Sequence, residues 1–557
     1  MGGRGYFATH MKREPGKLQA DIHDVLIVGG GIYGAALARE AATRGLKTAL
    51  IEQADFCSGS SANSLKIIHG GLRYLQQADL PRVLESIRER SILLRTAPHL
   101  VEPVPCLMPT RGLGMKSRPV MALGMLANDI LSCNRNRHLD PLRRIPRGTT
   151  LTRKECLEIL PMLADTPATG AAQWYDGLAQ DTERLALGMV KAAAEAGAAV
   201  ANYVKAEAPI LEGRRVVGVR AVDRLDGTTF DIRAEAVIDA AGPWSAQWLA
   251  GLGPRAAVPA HWALSMNLIV KNGPSATHAA GLQSRSNGRL YFFMPWRGVT
   301  LAGTYYREYT GSPDGLQVTE ADIDSYLAEL NSCLPDGKLA RGDLLAVHAG
   351  ILPCRRRARP GREPDLLRHF QYTDHAKRDG IEGLVSVCGI KYTTARGAAE
   401  TVVGKVARKL RKPIAPSSTR SAPLPGGGIP DWADFRRGMG AAHPEIPAAG
   451  LDRLLSLYGT EAEAIFALAG PHPGAGALLR AEAQFCLRNE MPQTLGDLVF
   501  RRTGIASAGL PEAEALRAWA DAMGTELNWS ADRIHSEIRA VERAPHLWQA
   551  GCFPAAL

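Results

Sequence analysis

The chain has 557 residues, more than one hydrophobic core usually serves, so two or three domains are expected. Apolar residues make up 46% and charged residues 22%, which excludes a largely disordered chain and confines disorder to termini and linkers. The net charge of +10 suits anionic lipid, nucleic acid or a phosphorylated small molecule, but 6% aromatic residues without basic–aromatic alternation argue against nucleic acid.

Residues 1–20 are glycine-rich and basic and lack the apolar stretch of a secretory signal, so a disordered tail is expected. Residues 24–52 then read as strand, glycine turn, helix, strand and terminal carboxylate. Gly29 permits the tight turn, Gly31 and the amide of Ile32 let a pyrophosphate approach, and Gly34 lets the helix pack closely. Glu52, followed by Gln53, stands where the ribose hydroxyls of an adenine dinucleotide would lie.

The stretch after the carboxylate favours a flavin over a nicotinamide. Ser60, Ser61 and Ser64 offer hydroxyls to pyrophosphate and ribityl oxygens, and the cationic, glycine-paired run Lys66 to Gly71 follows. Lys66 or His69 would face the negative charge that develops on a reduced flavin. FAD is therefore the expected cofactor.

Further along, Met115–Cys133 is apolar and methionine-rich, bordered by Arg111, Lys116 and Arg118 and then by Arg135, Arg137, Arg143, Arg144 and Arg147. It reads either as an interfacial segment for anionic lipid or as a core helix with solvated ends. Residues 176–208 predict a helix returning to a strand whose Val204 meets the cofactor. Val216–Arg220 and Thr229–Ile232 predict a meander, and Val237–Ala241 a buried strand ending at Gly242. Residues 256–375 predict a second sheet, 411–432 a linker, and the alanine- and leucine-rich stretches from 462 to 542 a helical domain. Nine scattered cysteines without metal-ligand spacing imply a reducing compartment and no metal. No apolar run is long enough for a transmembrane helix.

The run Ser64-Leu65-Lys66-Ile67-Ile68-His69-Gly70-Gly71-Leu72-Arg73-Tyr74-Leu75 closely resembles the matching run of the FAD-dependent glycerol-3-phosphate dehydrogenases, within the D-amino-acid-oxidase-like flavoproteins. Ala97-Pro98-His99-Leu100, Ala236 to Trp244, Phe293-Met294-Pro295-Trp296, Gly389-Ile390-Lys391-Tyr392-Thr393-Thr394, Leu457-Tyr458-Gly459 and Arg501-Arg502-Thr503-Gly504 agree in order. The resemblance spans about residues 22–545.

It implies an α/β fold with a discontinuous FAD-binding Rossmann-like domain (21–108, 176–255 and 340–410), an interleaved mixed-sheet substrate domain (109–175 and 256–339) and, after a linker over 411–430, a C-terminal helical domain (431–557). It implies hydride transfer from sn-glycerol-3-phosphate or a related acidic secondary alcohol to the flavin, with quinone as acceptor and oxygen left open. His69, Arg73 and Lys391 become the catalytic candidates, and Arg73, Tyr74 and Arg368 the substrate candidates. Gly70, Gly389, Lys391 and Thr393 join the cofactor set. Non-covalent FAD is expected, although histidines in related loops of the wider superfamily attach flavin covalently. The expected location is cytoplasmic, with or without peripheral attachment to the anionic inner face of the cytoplasmic membrane, and a homodimer is the assembly considered.

Three positions depart from the resemblance. Leu352 replaces the arginine of a Gly-Val-Arg-Pro-Leu segment, Asn267 replaces a histidine, and Gly303-Thr304-Tyr305-Tyr306 replaces a Gly-Thr-Thr-Asp turn. Arg355, Arg356 and Arg357 are candidates to restore the lost charge. The departures keep open a flavin oxidase or dehydrogenase of another hydroxy acid or of an amine.

Overall fold

The computed structural model describes residues 11–75, 79–253, 256, 261–335, 339–356, 363–471 and 473–544, with Arg73 described in its backbone alone. The apolar run Val25–Val28 forms the strand His23–Val28, buried on both faces and paired in parallel with Thr48–Ile51 on one side and Thr229–Asp239 on the other. An eight-stranded sheet forms around it, running Gln371–Asp374, Leu384–Cys388, Thr229–Asp239, His23–Val28, Thr48–Ile51 and Ala199–Ala201, with Val204–Glu212 and Arg215–Asp223 added antiparallel. The helix Ile32–Thr43 is buried almost all round because helices Thr182–Glu195 and Ala395–Leu410 flank it. Alanines at 35, 36, 38, 41 and 42 permit that close packing.

A nine-stranded sheet covers this domain. Its order is Leu344–Cys354, His261–Val270, Val299–Tyr309, Leu290–Trp296, Ala279–Gln283, Val101–Arg111, Ala168–Ala179 and Ile67–Ile68, with Thr149–Thr152 on the flank of Ala168–Ala179. Helix Glu320–Asn331 fills its far side with Ile323, Tyr326, Leu327 and Leu330.

The structure corrects several expected boundaries. Ile67–Ile68, most of Val101–Arg111 and all of Leu344–Cys354, placed by sequence with the cofactor domain, hydrogen-bond into the nine-stranded sheet. The meander strand and the buried strand expected separately are one strand, Thr229–Asp239, which is antiparallel to Arg215–Asp223 at its start and parallel to His23–Val28 further on. Residues 11–20, expected as tail, are tied down: Met11 and Leu18 are buried and Arg13 pairs with Asp223 at 2.7 Å. Residues 1–10 lie outside the described residues.

The 411–430 segment has no helix or strand, yet it is strapped to the cofactor domain. Arg44 donates to Ala415 O, Arg39 to Ala422 O, and Thr419 to Glu40. Beyond it, helices Trp432–Ala442, Ala448–Tyr458, Ala462–Ala469, Ala475–Asn489, Ala513–Leu527 and Ala531–Arg543 enclose their own apolar core. A wide turn over Asp497–Arg502, with the Thr503 amide reaching back to Leu498 O at 2.9 Å, interrupts them.

Candidate active site

The glycine turn is built as an anion cradle. Gly29 has φ +107, and a Cβ there would lie 2.6 Å from Ala240 O, so a side chain is excluded both by conformation and by space. A Cβ at Gly34 would overlap Gly29 O, which is why this helix approaches its own turn so closely. The helix opens at Ile32, whose amide donates to Ser61 Oγ at 3.1 Å. Glu52 accepts from the Gly30 amide at 2.6 Å and from the Ala54 amide at 2.9 Å. Burial pushes its carboxyl above the ordinary range, and those two amides act against the shift.

The cradle forms part of a cavity of about 730 Å³, the size of a small-molecule or cofactor site. Of the expected cofactor residues, Gly29, Gly31, Ile32, Glu52, Gln53, Ser60, Ser61, Ser64, Lys66, His69, Val204, Gly242, Gly389, Lys391 and Thr393 line it, as do Tyr74 and Arg368. A helix N-terminus at Ile32, a glycine turn without room for a Cβ, and the Glu52 carboxylate in the cavity wall fit the dinucleotide of FAD.

Two expected residues lie beneath the wall. Gly34 is the packing glycine just described. Gly70 gives its amide to Asp176 Oδ1 at 2.5 Å, the same oxygen that accepts from Arg90 at 2.6 Å, and a Cβ at Gly70 would strike the Arg90 guanidinium. Both glycines shape the site through close approach. The Arg73 side chain lies outside the described residues.

Lys66 departs from its expected role. Its ammonium turns away from solvent to Glu183 Oε1 at 2.5 Å, Thr182 Oγ1 at 3.1 Å and Ala62 O at 3.0 Å. A buried ammonium needs a counter-charge, and Glu183 on the neighbouring helix supplies it.

His69, Tyr74 and Lys391 gather at one end of the cavity. The Lys391 ammonium lies 4.1 Å from the Tyr74 ring centroid and the Arg82 guanidinium 3.8 Å from it, while the His69 ring meets Tyr74 edge-on at 5.7 Å. Burial, reinforced by the charge of Arg82, lowers Lys391 to about 8. Burial and the Lys391 charge lower His69 to about 4, so its imidazole is neutral at pH 7. Arg82 is a member of this cluster that the sequence reading missed; its position one turn into the helix after the Arg73-Tyr74 pair is the signal that could have found it.

The three departures sort by the face of the sheet. Asn267 is buried and fully engaged: its amide donates to Asn63 O at 3.0 Å and its oxygen accepts from Thr304 Oγ1 at 2.8 Å, bracing the cofactor loop against the covering sheet. Tyr305 packs on Tyr326 in the core of the covering domain, 5.2 Å between ring centroids, and is not among the residues lining the cavity. Asn267, Tyr306 and Leu352 line the cavity. Gly350 stands in register with Ser265, and Leu352 with Ala263, so the sheet offers this end of the cavity small residues and one leucine. Arg355 and Arg356 pair with Asp365 at 3.7 and 3.3 Å and are not part of the cavity wall, so neither replaces a charge at Leu352. Arg357 lies outside the described residues.

The exposed helix Arg118–Leu131 presents Leu123, Leu126 and Ile130 at 67%, 56% and 65% exposure, with Leu113 and Met115 exposed beside it, while Met121 and Met125 face inward. Of the flanking cations, Arg135 and Arg143 are buried. Arg135 pairs with Asp129, and Arg143 donates to Pro98 O and stacks on Trp432. Arg111, Lys116, Arg137, Arg144 and Arg147 are exposed. No helix of the described residues is long and apolar enough to cross a membrane.

Comparison with known proteins agrees with this architecture. Residues 24–404 match the model of the FAD dependent oxidoreductase family, and residues 417–534 match that of the C-terminal domain of alpha-glycerophosphate oxidase. The glycerol-3-phosphate dehydrogenase of Synechocystis is 33% identical over 511 residues, covering 88% of this chain and 90% of that protein. The mitochondrial glycerol-3-phosphate dehydrogenase of Mus musculus is 31% identical over 97% of this chain and 76% of its own length. The glycerol-3-phosphate dehydrogenase of Bacillus halodurans, solved with FAD, superposes with a TM-score of 0.73 at 27% identity, covering 95% of both chains. With the glycine cradle, the covering sheet and the helical domain all accounted for, the chain belongs to the FAD-dependent oxidoreductases, in the family of the glycerol-3-phosphate dehydrogenases.

Proposed function

We propose that this oxidoreductase converts an anionic secondary alcohol to its ketone, with sn-glycerol-3-phosphate, the compound named for its relatives, as the first candidate substrate. The observation that carries this reading is the meeting of a neutral imidazole, His69, with the cations Lys391 and Arg368 around one cavity that also contains the dinucleotide cradle. FAD, when bound, supplies the acceptor for the substrate's hydride. Gly29, Gly31, Ile32, Glu52, Gln53, Ser60, Ser61, Ser64, Val204, Gly242, Gly389 and Thr393 hold it. Lys391 and Arg368 hold the substrate's anionic group, and Arg73, whose side chain lies outside the described residues, is a further candidate for it. Tyr74 fixes the Lys391 ammonium through its ring face. A ring nitrogen of His69 takes the hydroxyl proton; neither nitrogen is engaged among the described residues.

The exposed apolar face of Arg118–Leu131, ringed by Arg111, Lys116, Arg144 and Arg147, supports peripheral binding to an anionic membrane. The short helix Leu72–Leu75, whose Leu72 and Tyr74 reach the cavity, packs against this helix, an arrangement that supports a membrane quinone as the electron acceptor.

Leu352 favours a second reading, in which the substrate is a bulkier acidic alcohol with an apolar portion resting against that leucine. Anaerobic bleaching of the bound flavin separates the two. Glycerol-3-phosphate reducing it fastest supports the first reading, and a larger phosphorylated or carboxylated alcohol doing so supports the second. Reduction by amines and not by acidic alcohols overturns both. Leu352→Arg then raises glycerol-3-phosphate turnover under the second reading, whereas an effective wild type that this change only damages refutes it. Asn267 is left intact in that test, because it braces the cofactor loop.

A further inference from the structure

The geometry points to the C-terminal helical domain as a clamp that sets affinity for the adenosine half of FAD, acting through Arg501 and Arg502 on Asp55. This does not depend on which alcohol is oxidised. Asp55 lies three residues beyond the cavity-lining Glu52, on a loop bonded both to the glycine turn and to the segment leading to the cavity-lining Val204. The Cys57 amide donates to Gly30 O at 3.0 Å, the Val204 amide to Glu52 O at 2.8 Å, and the Tyr203 amide to Ala54 O at 2.9 Å.

The Asp55 carboxylate faces away from the cavity and is fully buried. It accepts from Arg501 Nε at 2.7 Å, from both Arg502 terminal nitrogens at 2.6 and 2.7 Å, and from Asn202 Nδ2 at 3.0 Å. Burial alone would raise its pKa, but the charges of Arg502 and Arg501 outweigh it and hold the group at about 2.

The wide turn at Asp497–Arg502 makes this grip geometrically available. On an α-helix two consecutive side chains point about 100° apart, so they do not ordinarily meet on one acceptor. Here both guanidiniums reach the same Asp55 oxygen, and the turn that carries them is bonded from the Thr503 amide to Leu498 O. Asp497, on the same turn, accepts the Tyr203 hydroxyl at 2.9 Å, and Met491 O accepts from Asn202 at 2.9 Å. Tyr203 has φ +55, a left-handed backbone that a residue with a side chain adopts where its surroundings hold it. The two segments that present Glu52 and Val204 to the cavity are thus both pinned at their ends by the helical domain.

Charge makes the clamp more than packing. Asp55 and Glu52 are like charges in a dry site, and Asp55 acts to raise the Glu52 pKa. The arginines offset the Asp55 charge, so the clamp is a paired, buried ion cluster.

The test is titration of the full-length deflavinated chain with FAD and, separately, with ADP, in wild type, Asp55→Asn, Arg502→Lys and Leu454→Ala. Leu454 is buried in the helical domain's own core on the helix Ala448–Tyr458, outside the clamp turn, and its truncation loosens the domain without touching Asp55. The clamp predicts that Asp55→Asn and Arg502→Lys each weaken FAD and ADP by the same factor, about tenfold or more. It further predicts that the double variant is little weaker than either single one and that Leu454→Ala leaves both affinities near wild type. Should Asp55→Asn fail to fold, Arg501→Lys, which leaves Arg502 on Asp55, takes its place with a smaller loss. Unchanged affinities in folded clamp variants overturn the proposal, as does an equal loss in Leu454→Ala. Weakened FAD with unchanged ADP removes the adenosine end from it.

Discussion

Lys391 offers the sharpest test of the active-site chemistry, because its titration falls within the working range of pH. With its pKa at about 8, lowered by burial and by Arg82, it is about 90% charged at pH 7 and about 10% charged at pH 9. A raised pH removes the cation, so kcat/KM for an anionic alcohol is expected to fall through pH 8, approaching tenfold per unit beyond it. Replacing the residue by methionine deletes one charge-assisted bond, worth about 1.5–3 kcal/mol, or about 10- to 150-fold in kcat/KM. It also abolishes the alkaline limb and leaves flavin content unchanged. Lys391→Arg keeps the charge over the Tyr74 ring and moves the limb out of range, since a guanidinium does not titrate there. On the acid side, His69 titrates at about 4, so no second limb is expected between pH 5 and 7. The assay is a pH profile of anaerobic flavin reduction in wild type and both variants. An alkaline limb that persists unshifted in Lys391→Met assigns it to another group and refutes the reasoning.

Gly29→Val forces a β-branched side chain into a left-handed turn against Ala240 O, and colourless purified protein is the expected outcome; stoichiometric flavin in a folded variant would count against the cradle. Lys66→Met leaves Glu183 buried without its partner and costs about 3–5 kcal/mol in denaturant unfolding, while Lys66→Met with Glu183→Leu recovers most of it. If Lys66→Met instead keeps full stability and loses flavin reduction, the ammonium faces the cofactor after all. Vesicles containing anionic lipid should sediment the protein at low salt and release it at high salt. Leu123→Asp with Ile130→Asp abolishes that binding, and Arg143→Ala lowers stability without affecting it. Binding that survives the paired aspartates removes the helix from the membrane surface.

The cofactor half of the molecule was legible in the sequence because its demands fall on the backbone. A positive φ at Gly29 and the closeness of the helix at Gly34 leave glycine as the residue that fits, and the apolar run Val25–Val28 has one role in a sheet covered on both faces. The same local logic found four of the C-terminal helices within a few residues of their ends, since period and length carry that signal. What failed were assignments that require knowing where a side chain points in three dimensions. Lys66 has the charge expected beside a flavin, but Glu183, 117 positions away in sequence, captures it. Arg143 looks like a lipid-facing cation in a basic stretch, and Trp432 from the helical domain takes it inward.

The substrate half shows why such errors gather at a binding site. Leu352, Asn267 and Tyr305 are all departures in the linear sequence, but strand parity and a shift in register separate them: Leu352 and Asn267 line the cavity, Asn267 bracing the cofactor loop as well, and Tyr305 fills a core. Because a one-residue slip exchanges the faces of a strand, three substitutions that read as equal evidence for an altered substrate reduce to two on the cavity face, of which Asn267 is already bonded to Asn63 O and Thr304 Oγ1. Leu352 is therefore the cavity departure whose side chain has no hydrogen bond to hold it in a structural role, and Tyr306, its neighbour across the small residues Ala263 and Ser265, is the position to vary with it in a test of substrate choice.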